Sequence, residues 1–135
     1  MISPSPELIR LPRGSQLPEA LIKMANERGW KSAVCTGIGG ISEVVLAYYD
    51  LEQKAYLSFS IDGIVELVSL SGNLTGPQGD PFWHLHAVVA ERTGKTYGGH
   101  LQSCTVALTI ELAVWTMDSY RLRTLDDETG LRFLS

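Results

Sequence analysis

Three histidines are the side chains in this sequence best suited to coordination chemistry. His84 and His86 stand one residue apart in PFWHLHAVV, and His100 follows Gly98 and Gly99 in YGGHL. The apolar, β-branched surroundings of the first pair predict a strand over 82–91. Side chains alternate along a strand, so both imidazoles leave the same face with their roots about 6.6 Å apart. Imidazoles so spaced can converge on one ion at roughly 2.0–2.1 Å, the usual Zn–N distance. A polar turn at 92–95 sends the chain back. A returning strand would set His100 beside the pair, and the glycines before it permit a bulge and a close backbone approach. Zinc on three histidines keeps a fourth position open, as catalytic rather than closed structural sites do. The alternative is a solvated face carrying His84 and His86, with His100 in a loop.

Two carboxylates could serve such an ion as proton carriers. In IVELVSLSGN, Glu66 shares strand parity with Ile64, Val68 and Leu70, which puts a carboxylate on an apolar stripe. Buried and unpaired it would be costly, so it should meet a cation, a metal-bound water or backbone donors. At a sheet edge it would simply reach water. Glu111, in TIELAVW, poses the same question. Ser69, Ser71 and Asn73 fall on the opposite face, fit for a polar cleft, an interface or a solvated surface.

Other chemistries lack their residues. TGIGG (36–40) has neither the G-x-G-x-x-G spacing nor a following helix, which argues against phosphate cradling and for a tight turn with close backbone approach. No G-x-S-x-G elbow is present, so nucleophilic catalysis is not supported. Trp30, Trp83 and Trp115 are dispersed through core-like segments and suit packing or an interface better than base stacking.

The elements that must position the histidines are mostly strands. One helix is predicted over 17–28, with Pro18 in its first turn, Glu19 at its positive end and Gly29 just beyond it. Leu17, Leu21, Met24 and Arg28 fall at helical spacing, with Ala20 and Ala25 beside them. Residues 1–6, with two prolines and two serines, read as a lead-in, and 7–11 as a first strand. Further strands are predicted over 31–36, 42–49, 55–61, 64–74 and 82–91, then one bent strand or two over 101–116. A terminal hairpin is predicted around DDETG. The fold class is α+β: a largely antiparallel sheet with one principal helix, in a single domain spanning 1–135.

Composition narrows the function classes. Charged residues are only 19% of the 135, with 13 glycines, as in a β-rich protein that hides surface in an oligomer. Fifteen acidic against eleven basic residues give a net charge of −4, and no basic run exists, which argues against direct nucleic-acid binding. The N-terminal stretch has no apolar signal core and no segment is long enough to cross a bilayer, so a cytoplasmic protein without membrane attachment is expected. Cys35 and Cys104 sit in apolar strands and read as reduced core thiols.

The order of these pieces resembles the plant-and-prokaryote-conserved (PPC) domain family over about residues 7–117. RLPRGSQLPEALIKMANERG looks like its opening strand and helix, TGIGGISEVVLAYYD like its Gly-rich turn and strand, and GIVELVSLSGNL like its E-x-x-S-L-S-G strand. PFWHLHAVVA and GGHL look like its histidine-bearing segments, and RTLDDETGLRFLS like the ending of stand-alone bacterial members. The resemblance implies a homotrimer, a metal on His84, His86 and His100, and a fold similar to that of α-acetolactate decarboxylase, a zinc enzyme. In plants the domain follows an AT-hook; this chain has none, so DNA association is implied by family resemblance alone. Two functions follow: assembly or recognition of a protein partner or small molecule by a trimeric metal-bearing protein, or a small zinc enzyme acting on a carbonyl-containing metabolite, with Glu66 or Glu111 carrying protons.

Overall fold

A computed structural model describes residues 5–135; of the lead-in expected over 1–6, residues 1–4 lie outside the described residues. The described elements are β1 (Glu7–Leu11), β2 (Gln16–Leu17), α1 (Glu19–Arg28), β3 (Ser32–Asp50), β4 (Ala55–Ile61), β5 (Val65–Thr75), β6 (Phe82–Ala90), β7 (Thr96–Met117), β8 (Arg123–Leu125) and β9 (Arg132–Leu134). The class is the expected one, mostly antiparallel sheet with a single helix among the described residues.

Two long strands organise the sheet. The glycine run at 36–40 is not a turn: it lies inside β3, one continuous strand of 19 residues. The physical reason is crowding across the strand. A Cβ on Gly39 would sit 2.1 Å from the Thr109 carbonyl oxygen, and one on Gly37 or Gly40 would sit 2.6 Å from Leu112 or Leu108. The glycines therefore let β3 press against β7, and register shifts there bend the strand without reversing it. Close backbone approach was legible in the sequence; chain reversal was the wrong consequence to draw from it. β7 is likewise a single strand of 22 residues.

The order is β1-β7-β6-β5-β3-β4, with β2 added on β7 and a further pairing of β7 with β3. The circuit β7–β6–β5–β3–β7 thus closes on itself, which removes the edges of these four strands as a barrel does. Its interior is apolar, filled by Ile41, Leu46, Leu70, Leu85, Ile110 and Leu112 among others. Helix α1 ends on Gly29 in the left-handed conformation (φ 67°) and buries Leu21 and Ala25 beside Leu17. Of the predicted stripe, Met24 packs only partly against this core and Arg28 is exposed, ion-paired with Glu7.

The short antiparallel pair β8–β9 is the predicted terminal hairpin, and it forms a second, two-stranded sheet. Several contacts hold it to the main sheet. The Tyr49 hydroxyl donates to the Thr129 carbonyl, Lys54 Nζ donates to the Asp127 carbonyl at 3.0 Å, and Gly76 donates its N–H to the Arg121 carbonyl at 2.8 Å. Within its loop, Asp126 accepts from the Thr129 N–H and hydroxyl, and these bonds hold its carboxyl below the usual range.

Candidate metal centre

Strand alternation does for the histidines what their spacing predicted. Along β6, Trp83, Leu85, Ala87 and Val89 point into the core, which leaves His84 and His86 together on the opposite face. β7 returns antiparallel, and His100 is the direct cross-strand partner of His86. On the other flank, Ser71 opposes His86 and Asn73 opposes His84. Glycines again allow the close spacing. A Cβ on Gly72 would lie 2.0 Å from the His84 carbonyl oxygen, and one on Gly99 would lie 2.8 Å from the Ala47 carbonyl oxygen.

The three rings converge. One ligand nitrogen from each of His84, His86 and His100 lies within 4.8 Å of the others, and the Nε2 atoms of His84 and His86 are 3.1 Å apart. Nitrogens bound tetrahedrally at a Zn–N distance of about 2.1 Å would stand about 3.4 Å apart, close to the spacing seen here between His84 and His86. His100 Nδ1 is buried without a hydrogen-bond partner among the described residues. His100 is also stacked on Tyr56, centroids 4.6 Å apart and planes at 28°, which holds its ring plane. Burial first, then charge repulsion from the adjoining imidazoles and Arg123, pushes His84 down to about 4; burial and the proximity of His86 also lower His100. Both are therefore neutral near pH 7, the form that ligates metals. The donor set, its spacing and the orphaned nitrogen all fit a divalent cation.

A cavity of about 1210 Å³ opens over the rings. Its floor is the histidine face, its sides include Tyr49, Tyr56 and Phe82, and its far wall is the terminal hairpin, through Leu122, Arg123, Leu125, Leu131 and Arg132.

Glu66 and Glu111 lie elsewhere. They line a separate shallow groove together with Gly39, Gly40 and Leu108, and the structure does not bring them to the histidine cavity within one chain. The apolar stripe expected around Glu66 does not form either. A register shift between Leu67 and Ser69 flips the parity of β5, so Ile64, Glu66 and Val68 are exposed while Leu70 is buried. Beyond the bulge, Ser69, Ser71 and Asn73 lie on the face of the sheet that carries the histidines. Sequence reasoning missed Arg123 and Tyr56. Arg123 stands in a stretch without a periodic pattern, and Tyr56 reaches His100 across β3, which no local spacing shows.

Comparison with known proteins agrees with the family and the fold. The model of the Plants and Prokaryotes Conserved (PCC) domain matches residues 3–118. A plant- and prokaryote-conserved protein of Pyrococcus horikoshii superposes with a TM-score of 0.90 at 28% identity, covering 100% of this chain and 94% of that one. A protein of Archaeoglobus fulgidus described as metal-containing superposes with a TM-score of 0.86 at 30% identity, over 100% of this chain and 99% of that one. Acetolactate decarboxylase of Bacillus subtilis shares the fold alone, with a TM-score of 0.62 at 16% identity over 93% of this chain and 59% of that one. Among curated proteins, the bifunctional protein GlmU of a Synechococcus strain is 32% identical over 125 residues, 90% of this chain. The chain spans about a fifth of that relative's length, 19%.

Proposed function

The chain belongs to the Plants and Prokaryotes Conserved (PCC) domain family, and on that footing we propose that it is a homotrimer carrying zinc on His84, His86 and His100, whose work is assembly or recognition of a partner. The convergence of three imidazoles in one cavity, with His84 and His100 held toward their neutral form, supports the metal, as does the metal-containing relative. Self-association is supported by β4, an outer strand of the sheet exposed from Ala55 to Ser60. Leu57 and Phe59 on it, with Tyr48 and Ile64 nearby in sequence, leave apolar surface open that a second copy would cover. The charge balance supports no direct contact with nucleic acid. Elemental analysis of protein purified without added metal should find one zinc per subunit, and sedimentation should find a trimer. A metal-free protein, or a stable monomer at micromolar concentration, overturns the corresponding half.

The volume over the histidines favours a second reading, a zinc enzyme acting on a carbonyl-containing metabolite. An ion held by His84, His86 and His100 would supply Lewis-acid polarisation of a carbonyl oxygen. The chain itself would orient the substrate between Tyr56 and Phe82 and screen it from water with the terminal hairpin. Absence of turnover when zinc-loaded protein is screened against 2-oxo acids, esters and acetolactate overturns this reading.

A further inference from the structure

The histidines lie within the family-matched segment, but the far wall of their cavity does not: the hairpin β8–β9 follows residue 118. What that hairpin adds is charge. Arg123 is half-buried, and its guanidinium is held on three sides. Nε donates to Thr75 Oγ1 at 2.9 Å, Nη2 to Asn73 Oδ1 at 2.7 Å and Nη1 to the Arg132 carbonyl at 3.3 Å, and the group lies over the Phe82 ring at 5.4 Å. Thr75 is itself buried, so the bond from Nε is a built contact. A guanidinium has five N–H donors. These bonds use three, and one N–H remains on each Nη, the number a single carboxylate can accept with its two oxygens.

Among the described residues no carboxylate lies within ion-pair distance of Arg123 or Arg132. Asp80 is, among the described residues, the one acidic residue on the cavity lining, and it is exposed. Asn73, which grips Arg123, is the cross-strand partner of His84, so the guanidinium is anchored one strand from the histidine cluster. A divalent ion on the histidines would add to the same positive field. The rest of the lining is largely aromatic and aliphatic, through Tyr49, Tyr56, Phe82, Leu122, Leu125 and Leu131.

We infer that the terminal hairpin makes the histidine cavity a binding site for a small organic carboxylate with an apolar body, with Arg123 as the residue that takes its carboxylate. This rests on the cavity being the functional site proposed above, and it names the class of ligand. A carboxylate fits better than a phosphate, because the two donors left on Arg123 match two oxygens and an apolar lining suits an organic body.

The test is calorimetric titration of the full chain with 3-phenylpropionate and with its neutral amide, on zinc-loaded and on chelator-stripped protein. The carboxylate should bind at least about tenfold more tightly than the amide in both forms. Arg123→Gln should abolish that preference, and Arg123→Lys should restore part of it. Equal affinity for acid and amide, no binding of either at millimolar concentration, or a preference that survives in Arg123→Gln overturns the inference. The wild-type comparison stands even where a variant unseats the hairpin. Metal content measured after zinc loading separates the two proposals: selectivity in protein that takes up no zinc removes the metal and leaves Arg123's role, whereas zinc uptake without selectivity removes Arg123's role alone.

Discussion

His86 and His100 are direct cross-strand partners on β6 and β7, with ring centroids 5.7 Å apart and planes at 84°. His84, two residues before His86, stands with its Nε2 only 3.1 Å from that of His86. The cluster thus depends on one strand's alternation and one register. A slip of a single residue between β6 and β7 would turn His100 to the other face.

Single alanine substitutions at His84, His86 or His100 should each weaken zinc binding by more than the roughly 10–100-fold that loss of an outer-shell partner costs. The triple variant should hold no metal and still fold, because the core side of β6 is made by Trp83, Leu85, Ala87 and Val89. Elemental analysis alongside circular dichroism checks both halves.

Gly72→Ala should be strongly destabilising, since its Cβ would meet the His84 carbonyl oxygen at 2.0 Å and backbone must move. Overpacking of this kind costs about 1–3 kcal/mol or more, and here it displaces the strand that carries a ligand. At Gly98 a methyl group would find its nearest atoms at 3.5 Å, an ordinary contact, so Gly98→Ala should stay within about 1 kcal/mol of wild type. Chemical denaturation of the two variants side by side measures the contrast.

Burial pushes the Cys35 thiol up to about 11 and the Cys104 thiol up to about 12. A raised thiol pKa means that the folded state favours the protonated form. The stability this carries is complete below the ordinary thiol value of 9.0 and fades as pH rises toward 11–12. Both cysteines should resist iodoacetamide at pH 8 in the folded protein and react in denaturant. Equilibrium stability should begin to fall above about pH 9. Mass spectrometry of the alkylated protein and denaturation at stepped pH check these outcomes.

Tyr49→Phe removes the hydroxyl that donates to the Thr129 carbonyl and so loosens one tie between the hairpin and β3. The cost should be about 0.5–1.5 kcal/mol, the usual worth of one such bond, and it should fall locally. Amide exchange should quicken in β8 and β9 while β6 and β7 keep their protection.

Much was legible in the chain because it depends on local periodicity. Alternation placed His84 and His86 on one face, Gly29 stopped the helix, and a glycine pair before His100 marked a close backbone approach. Class followed from the same signals, since a strand or a helix announces itself over a few residues. Register does not. The bulge in β5 that turns Glu66 outward, the passage of β3 straight through TGIGG, and the closing pairing of β7 with β3 were decided by what each strand met across the sheet. The same holds for the hairpin wall. Arg123 acquires its role from Asn73 and Thr75, 50 and 48 residues away in sequence, and only the folded chain brings them within hydrogen-bond distance.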